Sequence, residues 1–94
     1  DLERAVEVAL DGAYYSCGQR CTASSRLIVE DAIHDTFVAA LTQRVAQLAV
    51  GDARDPGAQI GPQVSQAQLE RSIAAVEAGR AAGARLVAGG RRPR

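Results

Sequence analysis

The chain has 94 residues and a formal net charge of +0, with 23% of its residues charged. That balance excludes a strongly basic nucleic-acid footprint and a strong pull toward anionic lipid, so neither nucleic acid nor membrane is an expected partner. Hydrophobic residues make up 47% but aromatics only 3%, and much of the apolar share is alanine, so any core is thin. In chain order, Leu2, Ala5, Val6, Ala9, Leu10 and Ala13 repeat at helical spacing, opposite Glu3, Glu7 and Asp11. They predict an amphipathic helix with Asp1 as its cap, loosening near residues 14–18. Residues 18–25 have no period and read as a loop. Leu27-Ile28-Val29 reads as a short buried strand.

Asp31 is the expected cap of a second helix with the stripe Ile33, Phe37, Leu41, Val45 and Leu48, and Gly51 is placed to stop it. Residues 51–64 form a turn-rich connection of about 14 residues, long enough to suggest a functional or interfacial role. Ser65 opens a third helix, with Gln68 completing a capping box and Val64 with Leu69 a hydrophobic staple. Its stripe continues through Ile73 and Val76 to a stop at Gly83. Residues 84–88 (Ala-Arg-Leu-Val-Ala) read as a second strand before Gly89-Gly90, and Arg91-Arg92-Pro93-Arg94 as the start of a surface loop. Helix, loop, strand, helix, helix, strand is an α/β alternation, and two strands make only an incomplete sheet whose other strands lie elsewhere. No apolar run reaches the roughly 20 residues of a membrane span, and nothing at the start looks like a signal peptide. A cytoplasmic location is the expectation. A start at Asp-Leu-Glu-Arg without Met reads as an excerpt of a longer chain.

The chemistry-bearing stretch is Tyr14-Tyr15-Ser16-Cys17-Gly18-Gln19-Arg20-Cys21-Thr22-Ala23-Ser24-Ser25-Arg26. It resembles the active-site cysteine signature of the NAD(P)-dependent aldehyde dehydrogenase superfamily: an aromatic, Gly-Gln, one variable residue, the catalytic Cys, small residues and an Arg. The likeness extends along the chain through Asp31–Phe37, Gly51-Asp52, Asp55, Gly61-Pro62, Gly83-Ala84 and Gly89-Gly90. Ser16 departs from the Asn that many members carry. Gly-Gln-Arg-Cys-Thr-Ala-Ser-Ser-Arg looks most like members acting on semialdehydes, such as α-ketoglutaric semialdehyde dehydrogenase. The resemblance implies residues 1–94 as one fragment of the catalytic domain. The general-base Glu, the oxyanion-hole Asn and most of the cofactor domain would then lie outside it, and the isolated fragment would be inactive. It further implies NAD or NADP as cofactor, a small-molecule aldehyde as substrate, the rest of the parent chain as partner, and a dimer or tetramer for the full-length enzyme.

A thiolate suits such a reaction, because it adds to a carbonyl and later leaves from a hydrolysable thioester. By resemblance Cys21 is that nucleophile, and its backbone N–H helps hold the oxyanion. A buried inert thiol is the competing reading. Cys17 is most simply a packing residue; a Cys17–Cys21 disulfide in an autonomous redox or interaction module is the alternative for the whole chain. Without a Cys-x-x-Cys or a His pair, no metal site is expected. His34, the sole histidine, reads as a solvated surface residue. Gln68 is a capping partner and Arg71 a solvated charge on their own terms; by resemblance both approach the cofactor ribose. Arg20 is either a surface arginine or the partner of a substrate carboxylate.

Overall fold

Asp1 does cap the first helix. In the computed structural model, which describes residues 1–93, its carboxylate accepts the Arg4 N–H at 3.1 Å at the start of α1 (Leu2–Tyr14). The helix gives way to a 3-10 turn, Tyr15–Gly18, where the sequence predicted loosening. Residues 19–30 follow as loop, and Ser24 N–H returns to the Gly12 carbonyl at 2.8 Å, tying that loop to α1.

α2 runs Asp31–Ala46, and two expectations about its ends fail. Its cap is Glu30, in an extended conformation and without a side-chain hydrogen bond, so Asp31 is the first helical residue. It stops at Gln47, ahead of Gly51. The reason lies in the next residues, which are committed elsewhere. Ala49 O accepts the Gln59 and Ile60 N–H groups at 2.8 and 3.0 Å, and Gly51 N–H donates to Ile60 O at 3.0 Å. This parallel Val50–Ile60 bridge closes residues 51–60 into a loop, and Leu48 therefore falls outside the helix.

α3 (Gln66–Ala81) starts where predicted, with Ser65 Oγ accepting Gln68 N–H at 3.2 Å. Only that half of the capping box forms, and Val64 is 82% exposed, so the staple contributes little. The helix ends in a Schellman motif: Ala84 N–H bonds Gly79 O at 2.9 Å and Gly83 N–H bonds Arg80 O at 3.0 Å. Gly83 sits at φ +96°, which any side chain would resist.

The core lies between α1 and α2. Val6, Ala9 and Phe37 are buried against Val29, Ala40 and Leu41. At roughly 1.5–3 kcal/mol for each fully buried large side chain, this is a small apolar contribution. The stripe of α3 contributes no buried residue; Leu69, Ile73 and Val76 instead line an open cleft of about 630 Å³ with Val50 and Ile60. Arg91–Pro93 line the same cleft, and Arg94, the last residue of the expected surface loop, lies outside the described residues.

Neither predicted strand forms among the described residues. Leu27–Val29 and the run 84–88 are extended or irregular chain without a ladder, and Ile28, expected to be buried, is fully exposed. A strand exists only against a neighbour, and the described residues supply none for either run. No helix among the described residues is long and apolar enough to cross a membrane.

Successive turns hold the connection between α2 and α3. Arg54 folds back on Asp52 with two side-chain bonds of 2.6 and 3.0 Å, and its own N–H donates to the same carboxylate at 2.9 Å. The guanidinium and that N–H together hold the Asp52 carboxyl down from an ordinary 3.8 to about 2. A depressed carboxylate stabilises the turn at and above its unfolded pKa, and the contribution fades as pH falls toward 2. In an NMR titration Asp52 should therefore ionise well below the usual carboxylate range. An Arg54→Ala variant loses the guanidinium but keeps the backbone N–H, so it should raise the midpoint part of the way to the ordinary range; an unchanged midpoint would mean that the pair is not formed.

Candidate active site

Three consecutive residues with positive φ precede the exposed Cys21 turn. Ser16 and Cys17 sit in the left-handed region at φ 53° and 59°, and Gly18 follows at φ +71°. Left-handed non-glycine residues cost on the order of 1–3 kcal/mol each and persist only where their surroundings hold them. Gly18 is obligatory for a second reason: a Cβ there would stand 2.8 Å from the Ala13 carbonyl oxygen. Sequence reasoning saw only a fraying helix end here, and two L residues in this conformation have no local signature.

The surroundings that hold the turn come from 43 to 45 residues downstream. Cys17 Sγ, half-buried, accepts the Gly61 N–H at 3.1 Å. The Gln19 carboxamide bonds the 62–64 backbone twice, its Nε2 donating to Pro62 O at 3.2 Å and its Oε1 accepting Val64 N–H at 2.9 Å. The Gly-Gln of the cysteine signature and the Gly61-Pro62 element are thus two sides of one contact. Gln19 was not singled out from the sequence.

Cys21 occupies the next turn, closed by Ala23 N–H donating to Arg20 O at 3.1 Å. Its thiol is free and exposed, and its backbone N–H has no hydrogen-bond partner among the described residues. A thiol and an uncommitted N–H on the same residue are what carbonyl addition needs: a nucleophile and a donor for the oxygen that gains charge. Both cysteines are free thiols. Arg20 is exposed and lies over the Tyr15 ring, 4.7 Å from its centroid.

The remaining candidates lie on the helices α2 and α3. Gln68 and Arg71 stand three residues apart in the opening turns of α3. Neither side chain has a hydrogen-bond or ion-pair partner among the described residues, although Gln68 N–H is taken up by the cap. Neither lines the 630 Å³ cleft, which lies against the apolar stripe of the same helix. His34 lies 3.0 Å from Asp35 Oδ1 on α2, and its partner is that carboxylate rather than a cysteine. No group of three His, Cys, Asp or Glu side chains converges among the described residues.

The model of the aldehyde dehydrogenase family matches residues 1–94, the whole chain. The chain belongs to that family. It is 47% identical over 90 residues to a betaine aldehyde dehydrogenase of Cereibacter sphaeroides, covering 96% of this chain and 19% of the relative. A betaine aldehyde dehydrogenase of Sinorhizobium fredii is 43% identical over the same length. Among solved structures, HpcC from Thermus thermophilus superimposes with a TM-score of 0.96 at 42% identity, over 99% of this chain and 18% of that one. The betaine aldehyde dehydrogenase of Staphylococcus aureus in complex with NAD+ gives 0.96 at 36% identity, over 100% of this chain and 19% of that one. The chain thus spans about a fifth of the length of the aldehyde dehydrogenases it matches.

Proposed function

We propose that these residues are the cysteine-bearing part of an aldehyde dehydrogenase catalytic domain, and that the full-length chain oxidises an aldehyde to a carboxylate. The observation that carries this reading is Cys21: an exposed thiol at the tip of a braced turn, with a free backbone N–H, at the position where the family's signature has its nucleophile. In this mechanism the Cys21 thiolate adds to the aldehyde carbonyl, and its own N–H donates to the developing oxyanion, a donor worth about 10²–10³ in rate. The resulting thiohemiacetal is oxidised to a thioester, and water releases the acid and restores the thiol. No base stands beside Cys21 in the sequence, so the proton acceptor comes from the rest of the chain.

NAD or NADP, when bound, supplies the hydride acceptor. The donor set of α3 fits such a group: Gln68 offers an uncommitted carboxamide and Arg71 an unpaired guanidinium on one helix face, suited to ribose hydroxyls. The exposed Ile28, the unpaired runs 27–29 and 84–88, and the open apolar cleft support an incomplete α/β sheet completed by the remaining chain. The same features speak against an autonomous redox module, as does the engagement of Cys17 with Gly61. A cytoplasmic dimer or tetramer is the assembly proposed for the full-length enzyme.

For the substrate we favour an aldehyde carrying a carboxylate, a semialdehyde, with Arg20 as its partner. Betaine aldehyde, which the names of the relatives suggest, carries a cation. Arg20, next to the nucleophile in the chain, would repel it. The domain reading has a direct test. The purified 94-residue chain, incubated with a panel of aldehydes and NAD+ or NADP+, should form no reduced nicotinamide. Turnover above the background of a simple thiol would overturn it.

A further inference from the structure

Gln19 is the only side chain of the cysteine loop that the structure shows bonded at both ends of its functional group, and both partners are backbone atoms just before Ser65, the cap of α3. It lies directly after the left-handed run Ser16–Gly18 and two residues before Cys21. A run of that kind relaxes unless something fixes it, and the side chains that anchor it to the 61–64 segment are the Gln19 carboxamide and the Cys17 thiol on Gly61. Resting on the reading of Cys21 as nucleophile, we propose that Gln19 is a positioning residue: its two-point clamp on Pro62 and Val64 sets the turn carrying Cys21 relative to the first turns of α3. Carboxamide chemistry is required at this place, because the contact needs one donor and one acceptor side by side. Leucine supplies neither; glutamate keeps the acceptor for Val64 N–H and turns a second acceptor toward the Pro62 carbonyl.

The test uses the full-length chain with Gln19→Leu and Gln19→Glu, and Cys21→Ser as reference. Catalytic groups lose rate steeply when misplaced by about an ångström, so kcat should fall about 10- to 100-fold in Gln19→Leu. The Kd for NAD+, measured by calorimetry, should stay within about twofold, because α3 keeps its own cap. Gln19→Glu should fall between wild type and Gln19→Leu, and it replaces the leucine variant as the deciding one if that variant does not fold. Alkylation by iodoacetamide, followed on the separate peptides of Cys17 and Cys21, should change at Cys21 in the same order. A folded variant with kcat within about twofold of wild type would overturn the proposal. So would NAD+ affinity falling in parallel with kcat, which marks a general loss of structure. If Cys21→Ser stays active, the nucleophile assignment fails instead, and with it the reading on which the clamp rests.

Discussion

Replacing Cys21 by serine in the full-length enzyme is expected to lower kcat for aldehyde oxidation by more than about a thousandfold, the order lost when a covalent nucleophile is removed. The hydroxyl is a far weaker nucleophile at neutral pH than a thiolate, and the turn offers no adjacent base to activate it. NAD+ affinity should be nearly unchanged, because the substitution leaves Gln68, Arg71 and the Ser65 cap of α3 in place. Cys17→Ser should keep most activity, since a serine hydroxyl still accepts the Gly61 N–H that Cys17 Sγ now holds at 3.1 Å. Steady-state rates with NAD+ and one aldehyde decide it. The reverse pattern, with Cys17→Ser dead and Cys21→Ser active, would move the nucleophile to Cys17.

The second large effect concerns Arg20. Its present partner is the exposed Tyr15 ring at 4.7 Å, an interaction worth about 0.5–1 kcal/mol at such a site. A charge-assisted hydrogen bond to a substrate carboxylate is worth roughly 1.5–3 kcal/mol, enough to draw the guanidinium off the ring. Arg20→Leu should therefore cost the difference, about 0.5–2.5 kcal/mol or about 2- to 70-fold in kcat/KM, for a carboxylate-bearing semialdehyde, and little for a neutral aldehyde of the same length. Betaine aldehyde should be unaffected or improved, because a like charge has been removed. The measurement is the ratio of kcat/KM values in wild type and variant. An unchanged ratio takes Arg20 out of the substrate site and returns the preference to the cationic substrate of the relatives.

Local signals in the sequence reached the helices, and non-local ones escaped it. Asp1 and Ser65 are caps, and Gly83 a stop, because each acts on backbone within a few residues. The end of α2 was misjudged because it is decided by Ala49 and Gly51 pairing with Gln59 and Ile60, not by the nearest glycine. Leu27–Val29 has the composition of a strand, but composition cannot supply the neighbour that makes a ladder, and Ile28 stays exposed. At the site, Cys21 was legible because the motif around it is contiguous. Gln19 belongs to that motif, but nothing local reveals its role, since its partners lie 43 and 45 residues away. The spacing between Gly18-Gln19 and Gly61-Pro62 held that information, but only the fold turns it into a contact.

In the proposed mechanism Cys21 carries the acyl group. Trypsin separates the two thiols, because cleavage after Arg4, Arg20 and Arg26 leaves Cys17 in the peptide 5–20 and Cys21 in the peptide 21–26. The full-length enzyme would be mixed with NAD+ and excess aldehyde, quenched in acid within the first turnovers, then digested briefly near neutral pH, where trypsin is active and a thioester freed from the active site hydrolyses slowly, and read by mass spectrometry. The account predicts an acyl adduct, the aldehyde's mass less one hydrogen in place of the thiol hydrogen, on the peptide 21–26, dependent on NAD+. An adduct on the peptide 5–20, or turnover with no adduct on either, would contradict it.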